Sequence, residues 1–189
     1  MNQLHLVTVG ISLLTNFERA SGLPREKALR RTRALDDFLA KDPRAASAEI
    51  NALAGRLGGL DAIADGLGVS LVYTETLEGR ATAGALRRFL KSRGVAVAEI
   101  KLPGIEMPAE IRADTDIAAR AAVAGLRTLC EKAAEHVRKM RRQQPDLPIA
   151  FNVTGGYKAE VAVLYGLGRE LGIPVYYLHE TYRAVLELP

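Results

Sequence analysis

The stretch Ile149–Glu160 reads IAFNVTGGYKAE and combines an apolar strand, a glycine turn and the start of a helix. Apolar residues recur at helical spacing after about Tyr157, so the helix is expected to begin there. Gly155 and Gly156 have no Cβ, which lets the backbone take a positive φ and lets a ligand approach its N–H groups. The stretch therefore predicts a corner in which a buried strand passes into a helix.

Two interpretations of this corner are open. The free N–H groups and the positive end of the dipole at a helix N-terminus favour an anion such as phosphate, and Lys158 adds a positive charge. The spacing differs from the Gly-x-x-x-x-Gly-Lys-Ser/Thr pattern of a P-loop. The other interpretation is an ordinary strand-to-helix turn that needs glycine for its geometry alone. The corner by itself does not decide between them.

Composition predicts a single domain in the cytoplasm. A chain of 189 residues with 48% apolar and 25% charged residues is ordinary for one soluble globular domain. No apolar run approaches the roughly 20 residues of a membrane helix, and no signal peptide is visible, so no membrane partner is expected. The only cysteine, Cys130, has no second thiol to pair with, as is usual in a reducing compartment.

The charge of the chain favours anionic partners. The formal net charge is +4 and the isoelectric point is near 9.3. The basic residues are scattered, tryptophan is absent, and no basic run is interleaved with aromatic residues. A long nucleic acid is therefore not expected as a partner.

The order of the predicted elements gives an α/β fold. Apolar runs predict six strands, over residues 4–9, 70–74, 95–102, 149–153, 174–178 and 182–188. Helical patterns lie between them, over residues 24–41, 50–57 with a short turn to 66, 76–94, 114–142 and 157–172. This alternation predicts a Rossmann-like, doubly wound, mainly parallel sheet in the order 3-2-1-4-5, with helices on both faces and an antiparallel last strand.

The predicted strand order brings two polar loops together. Strands 1 and 4 are neighbours at the topological switch point, where ligands bind beyond the carboxyl ends of the strands. The loops there are Gly10–Asn16, predicted as a glycine turn, and Thr154–Lys158. The loop Thr74–Gly79 lies alongside, with Thr76 as the expected N-cap of the next helix. This agreement favours a nucleotide or phosphate site.

Other chemistries have little support in the sequence. The three histidines, His5, His136 and His179, are dispersed, and no Cys/His cluster has zinc spacing. The Gly-x-Ser-x-Gly nucleophile elbow and the Gly-x-Gly-x-x-Gly dinucleotide fingerprint are both absent. No metal site and no cofactor are predicted.

Three motifs in order resemble the CARF (CRISPR-associated Rossmann fold) proteins. They are TVGISLLTN at Thr8–Asn16, TETLEG at Thr74–Gly79 and NVTGGYKA at Asn152–Ala159. The resemblance spans essentially the whole chain and implies one CARF domain over residues 1–189. It also implies a homodimer that binds cyclic oligoadenylate, usually the cyclic tetramer, a second messenger of type III CRISPR defence.

The resemblance also implies roles for individual residues. Some members, the ring nucleases, degrade the messenger, and their active-site serine and lysine match Ser12 and Lys158. The matching loops imply the following ligand contacts: Gly10, Ile11, Thr15, Asn16, Thr74, Glu75, Thr76, Gly79, Asn152, Thr154, Gly155, Gly156 and Tyr157.

Two functional hypotheses follow, with a third, remoter one. The preferred hypothesis is a stand-alone ring nuclease in which a ribose 2′-OH attacks the adjacent phosphorus without a metal; no obvious general base is present, so turnover should be slow. The alternative is a non-catalytic sensor that binds the messenger and passes a dimer rearrangement to a partner or a missing domain. Many CARF proteins carry an effector domain after the sensor, whereas this chain ends at Pro189, directly after the last predicted strand, which is expected either of a stand-alone protein, favouring a ring nuclease, or of an excised sensor domain. The third is a Rossmann-like protein that binds an unrelated nucleotide.

Overall fold

One six-stranded sheet forms the centre of the protein. The computed structural model describes residues 1–103, 115–179, 181 and 184–189. Its strands are β1 (Gln3–Thr8), β2 (Leu67–Thr74), β3 (Ala96–Leu102), β4 (Ile149–Asn152), β5 (Val175–His179) and β6 (Ala184–Glu187). They lie in the order β3-β2-β1-β4-β5-β6. All neighbouring pairs are parallel except β5 and β6, which are antiparallel, so the predicted doubly wound order is confirmed.

Helices connect the strands. The helices of the described residues are α1 (Ser12–Ser21), α2 (Arg25–Leu29), α3 (Thr32–Lys41), α4 (Pro43–Ala46), α5 (Ala48–Leu57), α6 (Leu77–Ser92), α7 (Thr115–Gln143) and α8 (Lys158–Leu171). In the described part of the chain, no helix combines the length and the apolar character that crossing a bilayer requires.

The helices cover both faces of the sheet because the strands are apolar on both sides. In β1, Leu4 and Leu6 pack with α7 and α8, whereas Val7 packs with the helices between β1 and β3. Side chains of a strand alternate between the two faces, so a continuous apolar run is what a sheet buried on both sides requires. Helix α5 lies on the second of these faces and reaches across to β4, β5 and β6.

The prediction that Gly10–Asn16 is a turn was wrong for most of its length. Helix α1 begins at Ser12, so only Gly10 and Ile11 connect it to β1. Leu13, Leu14 and Phe17 of this helix are buried and form its inner face. This i, i+1, i+4 spacing is helical, but the small polar residues Ser12, Thr15 and Asn16 beside these apolar positions had suggested a turn.

Several other predicted boundaries also differ. The helix predicted over 24–41 is interrupted at residues 30–31 and forms α2 and α3. Residues 58–66 form turns and bends rather than helix, and β2 begins at Leu67, earlier than predicted. The predicted cap at Asp114, the turn at Glu180 and the start of the last strand at Tyr182 lie outside the described residues.

Candidate functional site

The connections after β1 and β4 pack directly against each other. A Cβ added at Gly10 would lie 2.8 Å from the backbone nitrogen of Gly156. A Cβ added at Gly155 would lie 2.5 Å from both the Gly10 nitrogen and the Thr8 carbonyl oxygen. Glycine at these positions therefore permits the two connections to meet at the switch point, as the strand order had predicted.

Internal hydrogen bonds hold the β4 corner in place. Thr8 Oγ1 donates to the Gly155 carbonyl oxygen at 2.6 Å. The buried Asn152 accepts through Oδ1 from the Thr154 hydroxyl at 2.7 Å, and that hydroxyl oxygen accepts the Leu178 N–H at 3.0 Å. Gly156 is exposed and has a φ of 89°, a conformation that favours glycine. Asn152 and Thr154 thus shape the corner by binding protein groups.

A buried carboxylate, which the sequence analysis missed, lies between the two connections. Glu49, in the first turn of α5, is 1% exposed. Its Oε1 accepts the Gly10 N–H at 2.8 Å, and its Oε2 accepts the hydroxyls of Ser12 at 2.8 Å and Ser47 at 2.7 Å. Its carbonyl oxygen accepts Asn152 Nδ2 at 3.1 Å, so Glu49 binds both connections. Nothing near it in the sequence indicates this, because Ser12 lies 37 positions away.

A second carboxylate caps the helix that follows the corner. Glu160 Oε2 accepts the backbone N–H of Tyr157, the N-cap residue of α8. Burial raises the pKa of Glu160, and the hydrogen bond from Tyr157 partly offsets this rise. A glutamate three residues after the N-cap is the capping-box position, so the sequence held a signal for this contact. Lys158, the first residue of α8, is exposed.

The predicted residues Thr15 and Asn16 of α1 form hydrogen bonds with other protein groups. Asn16 Nδ2 donates to the carbonyl oxygens of Ala45 at 3.2 Å and Ala46 at 3.1 Å. Thr15 Oγ1 accepts a hydrogen bond from Arg25 at 3.3 Å. Ile11, which precedes the helix, is largely exposed. These bonds tie α1 to the neighbouring helices beside the switch point.

The third predicted loop follows β2. Thr76 is the N-cap of α6, as predicted, and its hydroxyl oxygen accepts the Gly79 N–H at 3.0 Å. A Cβ at Gly79 would collide with the Thr74 carbonyl oxygen, which explains the glycine. The Glu75 N–H donates to the Leu102 carbonyl oxygen at 2.9 Å, so this loop is attached to β3.

A mostly apolar cavity of about 490 Å³ connects this loop with the corner after β4. Thr74 and Thr76 line one side, Tyr157 and Glu160 line another, and Leu126 of α7 contributes to the apolar wall. The Tyr157 side chain is 71% exposed. A flat aromatic ligand group such as a nucleobase fits a cavity of this character, beside an exposed aromatic ring.

The described residues contain no cluster of three or more His, Cys, Asp or Glu side chains that could hold a metal ion. Glu49 and Glu160 each bind backbone N–H groups rather than converging with other carboxylates.

The family of the chain follows from its sequence. Residues 44–189 match the family Cas_APE2256, described as a CRISPR-associated protein. The chain belongs to this family. No curated protein sequence matches the chain.

Solved structures share the fold. VC1899 from Vibrio cholerae has a TM-score of 0.57 and 8% identity, with 98% of this chain and 33% of that chain covered. Csm6 from Enterococcus italicus, bound to cyclic hexa-2′-fluoro-hexa-dAMP, has a TM-score of 0.52 and 12% identity, with 97% and 34% covered. Can2 from Sulfobacillus thermosulfidooxidans, in complex with cyclic tetra-adenylate, scores 0.48 at 14% identity, with 98% and 34% covered, a likeness too weak for argument.

The family and the fold confirm the resemblance to the CARF proteins. The chain spans about one third of the length of the solved structures that it matches. The ligand contacts predicted from the resemblance, and the roles of Ser12 and Lys158, stay predictions.

Proposed function

We propose that the protein binds cyclic oligoadenylate, with cyclic tetra-adenylate as the first candidate, and cleaves it slowly in the cytoplasm to switch off type III CRISPR signalling. The observation that carries the proposal is the contact between the Gly10 and Gly155–Gly156 connections, which places Ser12 and the start of α8 at the switch point. Membership of a CRISPR-associated family supports this class of ligand, as does the ring bound to the Csm6 structure.

Each part of the site has a role in the proposed reaction. At each of two opposite linkages of the ring, the ribose 2′-OH attacks the adjacent phosphorus and the 5′-oxygen leaves, which together give two linear di-adenylates, each ending in a 2′,3′-cyclic phosphate. The exposed Lys158 stabilises charge on the phosphoryl oxygens, and Ser12 positions the reacting ribose. The cavity beside Tyr157 receives an adenine base. A 2′-OH nucleophile requires no metal-bound water, so the proposed reaction is independent of metal.

The proposed binding unit is a two-fold dimer. A ring of four nucleotides is larger than one crevice, and two identical crevices match its symmetry. Three exposed apolar side chains, Ile11, Leu77 and Tyr157, follow β1, β2 and β4 at the same edge of the sheet, where a second copy would cover them. Light scattering should show a dimer at micromolar concentration; a monomer with and without ligand would contradict this.

A sensor without catalytic activity is the second candidate. The fold matches about one third of Csm6, a longer protein that was solved with a cyclic ligand bound. In this second candidate function, the domain binds the ring and transmits the binding event to another domain or protein. The same pocket serves both functions, so binding alone does not separate them.

The deciding experiment follows labelled cyclic tetra-adenylate with the purified protein in excess EDTA. Ring nuclease activity gives linear di-adenylate with a 2′,3′-cyclic phosphate. Tight binding of a ring that stays intact for hours would leave only the sensor function. Cleavage that EDTA abolishes would be consistent with the proposed site but would contradict the metal-independent mechanism.

A further inference from the structure

The hydroxyl of Ser12 is fixed between two protein groups. It donates its hydrogen to Glu49 Oε2 at 2.8 Å, and its oxygen accepts the Ala48 N–H at 3.2 Å. The Glu49 oxygens also receive the Gly10 N–H and the Ser47 hydroxyl. None of the ion pairs between described residues involves Glu49. The carboxylate is therefore compensated by hydrogen-bond donors, one of which is Ser12.

This arrangement determines which ligand group Ser12 can bind. A hydroxyl has one hydrogen and two acceptor sites. Its hydrogen is committed to a carboxylate, which has no proton to return, and one acceptor site is committed to Ala48. The remaining site can only accept a hydrogen bond. A phosphodiester carries no hydrogen to donate, whereas a ribose 2′-OH does.

We propose that Glu49 is a positioning residue that orients Ser12 as the acceptor for the ribose 2′-OH and takes up the proton of the reaction through it. This inference rests on the proposed function. The 2′-OH proton passes to Ser12 Oγ as the Ser12 proton passes to Glu49 Oε2. The 2′-oxygen forms its bond to phosphorus, and the bond from phosphorus to the 5′-oxygen breaks. The 5′-oxygen keeps the electron pair and takes a proton from water, and Glu49 returns its proton to solvent through Ser12.

The variant Glu49→Gln reverses this orientation with almost no change in volume. The Gln carbonyl oxygen still accepts the Gly10 N–H, but the amide group now donates to the oxygens of Ser12 and Ser47. Ser12 then turns its own hydrogen towards the ligand and no longer accepts the 2′-OH. The matched control is Glu135→Gln, which makes the same change on the exposed side of α7.

The test compares single-turnover cleavage of cyclic tetra-adenylate with affinity for the intact ring. Glu49→Gln is expected to slow cleavage by about 10²–10⁴-fold, the usual contribution of an acid–base group, while affinity changes far less. If Glu49 were purely structural, Glu49→Gln would not change the ratio of cleavage rate to affinity. Glu135→Gln should behave like the wild type.

A second measurement needs no variant. The wild type should bind the natural ring about 2–10-fold more tightly than its 2′-fluoro analogue, because fluorine cannot donate the hydrogen bond that Ser12 accepts. Equal affinity for the two rings would overturn the inference, even if Glu49→Gln failed to fold. Cleavage by Glu49→Gln at the wild-type rate would also overturn it while leaving the proposed function intact. Absence of any ring binding by the wild type would instead refute the proposed function, and this inference with it.

Discussion

Glu160 Oε2 lies 2.9 Å from the backbone nitrogen of Tyr157 and accepts its N–H. The carboxylate therefore occupies the position at the N-terminus of α8 where a phosphate oxygen would otherwise be favoured. An anionic ligand at this helix must displace the carboxylate or approach beside it. Two predictions, on charge and on pH, follow from this contact.

Glu160→Gln should bind cyclic tetra-adenylate about 2–5-fold more tightly than the wild type at pH 7. The amide oxygen can still accept the Tyr157 N–H, but the negative charge, worth about 0.3–1 kcal/mol near a helix end, is gone. Isothermal titration calorimetry measures the difference. Glu170→Gln, in the last turn of the same helix and exposed, is the control and should leave affinity unchanged. Weaker binding by Glu160→Gln would show that the carboxylate assists the ligand.

The same contact gives a pH dependence. Burial raises the pKa of Glu160 above the ordinary value of a glutamate, with a smaller opposing effect of the Tyr157 N–H. As the pH falls through this raised pKa, the carboxyl becomes neutral and its repulsion of phosphate is lost. Wild-type affinity should therefore increase on acidification towards that pKa, whereas Glu160→Gln should show a flatter profile. Parallel profiles for the two proteins would contradict the prediction.

Lys158→Ala should weaken binding of the ring by about 1.5–3 kcal/mol, the usual value of a hydrogen bond to a charged group. Thermal stability should hardly change, because Lys158 is exposed and contributes little packing. Calorimetric titration and thermal denaturation measure the two quantities. Lys91→Ala, an exposed lysine in the last turn of α6, is the matched control. Unchanged affinity would remove Lys158 from the site.

Ser12→Ala should slow cleavage far more than it weakens binding, since the serine acts on the geometry of the reacting ribose. It should also cost about 1.5–3 kcal/mol of stability, because Glu49 loses one of its donors. Single-turnover kinetics, equilibrium binding and urea denaturation separate the three effects. Loss of affinity equal to the loss of rate would assign Ser12 to ground-state binding instead.

Gly155→Ala and Gly166→Ala should have opposite effects on stability. A Cβ at Gly155 would lie 2.5 Å from Glu49 Oε1 and from two backbone atoms, whereas a Cβ at Gly166 meets nothing within 4 Å. Gly166→Ala, within α8, should stabilise the protein by about 0.5–1 kcal/mol. Gly155→Ala should destabilise it and weaken ring binding. Chemical denaturation of both variants provides the test. An unchanged free energy of unfolding in Gly155→Ala would mean that the connections after β1 and β4 separate easily.

The buried His5 should make the protein less stable in acid. It shares a hydrogen bond with the Tyr176 hydroxyl at 2.8 Å, and burial, with a contribution from Arg56, lowers its pKa to about 4. Between pH 6.5 and 4 the unfolded chain binds the proton more strongly, so stability is lost as the pH falls. The loss reaches about 3 kcal/mol for a shift of this size. Urea denaturation from pH 7 to 4 should be less pH-dependent for His5→Gln, and a His5 ring protonated at pH 6 by NMR would contradict this.

The sequence predicts the sheet and only part of the site, for physical reasons. Strands β1 and β4 are short, mainly apolar runs next to turn residues, so both strands and their order could be predicted. The start of α1 was missed because Ser12 and Asn16 are as common in turns as in first helical turns. Glu160 had a recognisable position relative to its N-cap. Glu49 had none, because tertiary packing of α5 alone brings it to Ser12 and Gly10.

The Thr8 hydroxyl binds the carbonyl oxygen of a residue 147 positions later in the chain. The connections at the switch point thus lie far apart in the sequence, and about 150 residues must leave the ribosome before they can meet. Closing so long a loop costs entropy before any contact compensates for it, which makes such pairings slow. A fluorescent ligand that binds beside the contact between Gly10 and Gly155 would therefore report that the chain has been synthesised and folded at least as far as Gly155.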